Sequence, residues 1–156
     1  MPIQIKIDLL KNRMQLGTIT VFDSAGTILT GPFEALGKAD NAAATARGND
    51  TRNPVRSYGD TPTGKYRGFL NQLARTPIND RTYGPQAIIT LDPISGQAKT
   101  AKENGRFGLL IHGGDLNTSG RLRPTFGCVR VANSSMVSIL ASIPATERID
   151  VVVTET

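Results

Sequence analysis

Hydrophobic and polar positions alternate at the start of the chain, where residues 3–9 read IQIKIDL. Strict alternation with a period of two predicts a strand with one buried face. Residues 16–22 are rich in Thr, Ile and Val, and residues 27–30 resume that composition after a turn signal at residues 23–26. These three segments predict an antiparallel meander.

Short strands and loops are predicted in the middle of the chain. Residues 38–60 are small and polar, which predicts a long surface loop with one helical turn through the alanines. A rigid turn at residues 61–64 leads into a strand over residues 65–69, and residues 70–86 are predicted to be irregular. An apolar strand over residues 87–91 is expected to stop at Asp92 and Pro93, before a polar loop over residues 94–106.

The last third contains the clearest helix pattern. An apolar run over residues 107–111 ends at His112, and a basic, glycine-rich loop over residues 113–124 follows it. A helix is predicted from Asn133, a favourable N-cap, to Pro144. Its apolar positions have helical spacing: Met136, Val137, Ile139, Leu140 and Ile143. A strand over residues 148–154 closes a chain that is predicted to be mainly β.

Composition limits the class of protein. A chain of 156 residues and 16.7 kDa fits one domain, residues 1–156. No run of eighteen apolar residues occurs, so no membrane span is expected. A single cysteine excludes an internal disulfide framework and a multi-cysteine zinc site, and a single histidine argues against a histidine-based metal site. We therefore expect no metal and no cofactor.

The charge is basic, with a formal net charge of +5 from 18 Lys and Arg against 13 Asp and Glu. Residues 99–130 alone hold six cations and two anions. Such an excess favours acidic partners, although a solvated basic face explains it equally well. The chain has five Phe, three Tyr and no Trp. Because so few aromatic residues accompany the cations, a nucleic-acid-binding β domain ranks low and no nucleic-acid partner is expected.

The only cysteine and the only histidine are the candidate chemistry. His112 and Cys128 lie 16 positions apart, each next to a predicted strand, so strand pairing can bring the imidazole to the sulfur. A thiolate that attacks and an imidazole that holds its proton suffice for acyl transfer. Gly127 lets the backbone approach a substrate and leaves N–H groups for an oxyanion. The alternative is a buried structural cysteine and a hydrogen-bonded structural histidine.

Four separated segments resemble one known family. Residues 111–114, IHGG, and residues 125–131, TFGCVRV, resemble the signature of the L,D-transpeptidase (YkuD-type) catalytic domain. That signature has a His-Gly pair, a loop, and a Ser/Thr-His-Gly-Cys stretch followed by an apolar residue and Arg or Asn. Residues 61–66, TPTGKY, resemble its Thr-Pro-Thr-Gly-aromatic segment, and the opening strands, late helix and closing strand follow in the expected order. The resemblance implies a single-domain, mainly β, sandwich-like or barrel-like fold with one helix after the nucleophile.

The resemblance also implies a mechanism. Cys128 would attack a peptide bond between an L-centre and a D-amino acid in a peptidoglycan stem, with His112 as base and the Gly113 carbonyl orienting its imidazole. An amine would resolve the thioester to a crosslink or an exchanged D-residue, and water to a trimmed stem, as in an L,D-carboxypeptidase. Pairing with His112 is expected to raise the thiolate fraction of Cys128 at neutral pH.

Phe126 stands where the family has a second histidine. Its ring either packs on an apolar part of the substrate or fills core. Arg130 either binds a stem carboxylate bidentately or pairs with a buried acid to brace its loop. Tyr66 either lines the wall of the cleft or belongs to the core. Together with Gly127, the residues Phe126, Arg130 and Tyr66 are the candidate substrate-binding residues. The change at Phe126 also leaves a non-catalytic peptidoglycan-binding module as the alternative function.

The expected place of action follows from the substrate. Peptidoglycan lies outside the cytoplasmic membrane, yet the first predicted strand begins directly after Met1 and no secretory signal pattern precedes it. We therefore expect action in the periplasm, the cell's own or a target cell's, after export without a Sec signal. An interbacterial antibacterial effector fits this expectation, with a cognate immunity protein that plugs the cleft in the producing cell.

Overall fold

The predicted meander is present at the N-terminal end. A computed structural model describes residues 2–156, which form eight strands. The strands are β1 (Ile3–Leu9), β2 (Gly17–Phe22), β3 (Ile28–Ala35), β4 (Gly64–Asn71), β5 (Ile88–Ser95), β6 (Leu110–His112), β7 (Val129–Arg130) and β8 (Ile149–Glu155). β1, β2 and β3 pair antiparallel in sequence order. The apolar residues of β1 are buried and its polar residues are exposed, so its alternation reflects one buried face.

All eight strands belong to one sheet, in the order β3-β2-β1-β8-β4-β5-β6-β7. β8 lies parallel to β1 and antiparallel to β4, so the two ends of the chain meet in the middle of the sheet. Leu36, directly after β3, exchanges two backbone hydrogen bonds of 2.9 Å with Arg130 of β7. Because β3 and β7 are the first and last strands of the order, this bridge closes the sheet into a barrel-like form. The expected mainly β, barrel-like fold is confirmed.

Helices are more numerous than predicted. The structure places α1 (Asn41–Ala46), α2 (Pro77–Tyr83), α3 (Gln97–Glu103) and α4 (Asn133–Ala141). The first matches the helical turn expected in residues 38–60, and the carboxylate of Asp40 accepts from the first N–H groups of the helix. The prediction of irregular chain over residues 70–86 and 94–106 is wrong, because α2 and α3 lie there. Among residues 2–156, none of these helices has the length and apolar character that crossing a membrane requires.

Two further boundaries differ from the prediction. β5 does not stop at Asp92 and Pro93 but continues to Ser95. The sheet tolerates this proline because it lies opposite Tyr66, beside an irregularity in the β4–β5 register. Asn133 is not the N-cap of α4, since Ala132 holds that position and makes no side-chain cap. The side chain of Asn133 instead accepts a hydrogen bond of 2.8 Å from the N–H of Gly114.

The core lies between the inner face of the sheet and α4. Period-two burial along β1, β2 and β8 supplies most isoleucines and valines of this cluster, and α4 adds Met136 and Ile139, both fully buried. Ile111 of β6 and Val129 of β7 are also fully buried, and they are paired neighbours. The short strands β6 and β7 are therefore held in a fixed register by the core.

Candidate active site

The site lies where β6 and β7 run parallel. Ile111 pairs with Val129, and His112 pairs with Arg130. Paired residues project to one face of a sheet and side chains alternate along a strand, so Cys128, two residues before Arg130, belongs to the face of His112. His112 and Cys128 line one cavity of about 610 Å³. The structure thus brings together the only histidine and the only cysteine of the chain.

The imidazole of His112 is buried and held from two sides. Its Nδ1 lies 2.7 Å from the carbonyl oxygen of Gly113. A carbonyl only accepts, so Nδ1 carries the proton and Nε2 keeps its lone pair. The ring of Tyr83, at the end of α2, meets the imidazole edge to face with centroids 5.0 Å apart. The contact expected between the Gly113 carbonyl and the imidazole is present, whereas its role in catalysis stays a prediction.

Burial decides the protonation of both groups. It lowers the pKa of His112 to about 4, although the Gly113 hydrogen bond opposes it, and Arg130 lowers it further. Burial raises the pKa of Cys128 to about 11, against the lowering effects of the Leu110 backbone and two arginines. At neutral pH the site therefore holds a thiol and a neutral imidazole. The expectation that His112 raises the thiolate fraction at neutral pH is wrong for this resting state.

Position 127 requires glycine, both for its backbone conformation and for the space around it. Its φ of +111° lies in the left-handed region, and a Cβ there would stand 1.9 Å from a guanidinium nitrogen of Arg106. Its N–H donates to Oγ1 of Thr125 at 3.0 Å, and that hydroxyl donates to the Cys128 carbonyl at 2.8 Å. The N–H of Gly127 is thus occupied. Of the N–H groups expected to hold an oxyanion, that of Gly127 therefore already has a partner. An oxyanion role for the N–H of Cys128, and substrate binding at Gly127, stay predictions.

Arg106 is a site residue that the sequence analysis missed. It lines the cavity, is 2% exposed, and follows α3. Its guanidinium donates to the carbonyls of Gly59 at 2.6 Å and Asp60 at 2.9 Å, and also to that of Pro54. These bonds fix residues 54–60 against the turn before Cys128. The sequence shows Arg106 only as one cation of a basic segment. Its acceptors are backbone carbonyls, which no residue type identifies in advance.

Arg130 braces the other side of the cavity. Its guanidinium donates to the carbonyl of Thr82 at 2.8 Å and to that of Asp115 at 3.1 Å, and so connects the end of α2 to the loop after β6. The bracing alternative fits this geometry, but backbone carbonyls take the place of the buried acid that was expected. Its Nε is buried without a hydrogen-bond partner. Arg130 lines the cavity, so carboxylate binding stays a prediction.

Tyr66 and Phe126 have opposite environments. Tyr66 is 1% exposed, its hydroxyl donates to the carbonyl of Pro62 at 2.5 Å, and it lies outside the cavity that holds Cys128. The substrate-binding role expected for Tyr66 is wrong, because the ring is part of the core. Phe126 is 59% exposed on the cavity wall, and its ring meets Tyr58 edge to face at 5.6 Å. The core-filling alternative for Phe126 is therefore excluded.

Metal ligands do not gather at the cavity. In the part of the chain that the structure describes, no group of three or more His, Cys, Asp or Glu side chains is close enough together to hold a metal ion. The thiol of Cys128 donates to the carbonyl oxygen of Gly108 at 3.5 Å. The charges of Arg106 and Arg130 favour the thiolate over the thiol, although burial outweighs them.

Comparison with known proteins shows the fold. No family model and no curated protein matches the chain. Among solved structures, Bd1075 of Bdellovibrio bacteriovorus superposes with a TM-score of 0.56 and 20% identity, over 95% of this chain and 46% of that chain. The helical cell shape determining protein Pgp2 from Campylobacter jejuni superposes with a TM-score of 0.53 and 18% identity, over 99% and 49%. At these identities the similarity concerns the fold alone.

The chain spans about half the length of those two structures. L,D-transpeptidase 1 of Mycobacterium tuberculosis superposes over 97% of this chain and 62% of that chain, with 11% identity and a TM-score of 0.44, which is too low to carry an argument. Fold and site together define a mainly β protein with a buried Cys–His pair on an open cavity.

Proposed function

We propose that this protein is a cysteine-dependent enzyme that modifies peptidoglycan at the L,D peptide bonds of its stem peptides. The observation that carries the proposal is the cavity shared by His112, at the end of β6, and Cys128, directly before the parallel strand β7. The order of segments around this pair resembles the L,D-transpeptidase signature. The similarity of fold to Pgp2, a helical cell shape determining protein, supports a substrate in the cell wall.

The proposed reaction begins with a proton transfer inside the cavity. Sγ of Cys128 attacks the carbonyl carbon of the L,D bond while Nε2 of His112 accepts the thiol proton, and the carbonyl electron pair moves to oxygen. The tetrahedral adduct collapses, the C–N bond breaks, and the leaving amine takes the proton from His112. A thioester and a free D-amino acid result. An acceptor amine then forms a new amide, or water releases a carboxylic acid, and the thiol is restored.

The resting protonation of the site supports the role of general base for His112. Burial keeps Cys128 protonated and His112 neutral at pH 7. Sulfur attack and proton removal therefore belong to one step, rather than to a preformed thiolate–imidazolium pair. A general base positioned in this way contributes roughly 10²–10⁴-fold to a rate.

A non-catalytic peptidoglycan-binding module is the second candidate. Two observations favour it: the thiol is protonated and 8% exposed, and an exposed Phe126 takes the place of the family's second histidine. Such a module would use the cavity and its basic wall to hold a stem without changing it.

Mass spectrometry of purified stem peptides separates the two candidates. We expect the wild type to release the terminal D-residue, exchange it or form crosslinks, Cys128→Ala to give no product, and His112→Ala to slow turnover roughly 10²-fold or more. A carbapenem should add its mass to the wild type and not to Cys128→Ala. Tyr66→Phe, outside the cavity, is the matched control and should keep turnover. Unchanged stems, or identical products from the wild type and Cys128→Ala, would leave only the binding module.

Peptidoglycan as substrate implies action outside the cytoplasmic membrane. The choice among transpeptidation, exchange and L,D-carboxypeptidase cleavage depends on which acceptor reaches the thioester. Export without a Sec signal, antibacterial effector activity and a cognate immunity protein stay predictions.

A further inference from the structure

Two arginines flank Cys128 inside the fold. Arg106 is 2% exposed and Arg130 is 4% exposed, and both line its cavity. Neither forms a salt bridge with any carboxylate in residues 2–156; both donate to backbone carbonyls instead. A buried cation without a counter-ion is destabilising, and such arginines are normally paired. The resting cavity therefore holds positive charge that no neighbouring carboxylate neutralises by direct contact.

Of the two arginines, Arg106 is the one that packs against the turn before the thiol. Its guanidinium occupies the space where a side chain at position 127 would lie, with a nitrogen 1.9 Å from the position of such a Cβ. Three hydrogen bonds to carbonyls of residues 54–60 therefore hold the charge against the turn that precedes Cys128, in the cavity that Cys128 also lines. Arg130 is directed instead to the carbonyls of Thr82 and Asp115.

We propose that Arg106 is a positioning residue whose buried guanidinium stabilises the negative charge that develops on Cys128 as its proton leaves during attack. The inference rests on the nucleophilic role proposed for Cys128, and it assigns a chemical task to a residue that otherwise only braces a loop. The electrostatic effect of Arg106 on the thiol has the direction that the proposal requires: Arg106 lowers the pKa of Cys128, whereas burial raises it. Other charged and titratable groups lie around the two residues. Arg130 acts on Cys128, His112 lines the same cavity, and Asp60, Tyr66 and Arg13 act on Arg106 but not on the thiol.

The single cysteine permits a direct test on the intact protein. The ultraviolet absorbance of the thiolate is titrated against pH in the wild type, with Cys128→Ser subtracted to remove tyrosine ionisation. The rate of alkylation by iodoacetamide is measured in parallel over about pH 7 to 10, below the thiol midpoint. Arg106→Met and Arg106→Gln remove the charge, and Arg106→Lys keeps it.

The matched control is Arg13→Met. Arg13 is also buried, at 5% exposure, and also donates to a backbone carbonyl, that of Thr61. It differs in lying outside the cavity and in pairing with Glu155. We expect Arg106→Met and Arg106→Gln to raise the thiol midpoint by about one unit or more and to slow alkylation about tenfold at each pH. Arg106→Lys and Arg13→Met should stay within about 0.3 units of the wild type.

If the thiol of Arg106→Gln and Arg106→Met titrates with the same midpoint as the wild type, the proposal is overturned and Arg106 has a purely bracing role. If Arg106→Met does not fold, Gln and Lys decide, because both retain a donor for the Gly59 carbonyl and differ in charge. Equal midpoints in these two variants would also overturn it. None of these measurements uses peptidoglycan. A charge effect without stem products would therefore count against the proposed substrate and not against Arg106.

Discussion

Mild acid should destabilise this protein through His112. An unfolded histidine has a pKa of about 6.5, and burial lowers that of His112 to about 4. Between these values the unfolded chain binds a proton that the folded chain does not. The stabilising contribution of the neutral imidazole is therefore fully present above about pH 6.5 and is lost as pH falls towards 4. The expected loss is about 2 kcal/mol at pH 5 and about 3 kcal/mol at pH 4.

Urea unfolding at a series of pH values measures this loss. The chain has one histidine, and its 13 acidic residues are common to the wild type and His112→Asn. The difference between the two proteins therefore isolates the imidazole. From pH 7 to pH 5 the free energy of unfolding of the wild type should fall by about 2 kcal/mol more than that of the variant. Parallel curves would refute the assignment of His112 as a buried neutral base.

Two further predictions concern the turn before the thiol. Gly127→Ala should lower the free energy of unfolding by about 2–5 kcal/mol, because the new Cβ strains the backbone and contacts Arg106 and Gly59. The control is Gly26→Ala, which also has a positive φ but faces open space, and it should lower that free energy by only about 1–2 kcal/mol. Urea unfolding measures both changes, and an equal loss of unfolding free energy in the two variants would contradict the close packing at Gly127. Phe126→Ala should raise KM for stem peptides about tenfold with little change in kcat, because its exposed ring binds both ground and transition state. An unchanged KM would place the ring outside the substrate's path.

The strands of this fold were predictable where one face is buried. The alternation in β1 and the apolar run of β8 follow directly from their place in the sheet. The helices α2 and α3 were not predictable from periodicity, because each has seven residues, α2 buries none of them, and α3 buries only Ala98 and Ala101. Such helices show no apolar stripe. The capping pair of Thr76 and Pro77 was the one local signal for α2.

The shared location of His112 and Cys128 was predictable, and the residues that support them were not. Cys128 and His112 are chemically distinctive and each occurs once, so their positions beside apolar segments already indicated a pair. Arg106, Thr125 and Asn133 act on backbone N–H and C=O groups. Every residue type supplies those groups, so the sequence contains no complementary residue from which such a contact can be inferred.

The single histidine also limits how protons move in the proposed reaction. Because the chain has one histidine, His112 must accept the thiol proton and later deliver it to the leaving amine. Its Nδ1 is held by the Gly113 carbonyl, so both transfers use Nε2. The negative charge that develops meanwhile cannot be balanced by a second imidazolium. In this cavity the compensation comes from guanidinium groups fixed by backbone carbonyls, which links the bracing of the loops to the chemistry of the thiol.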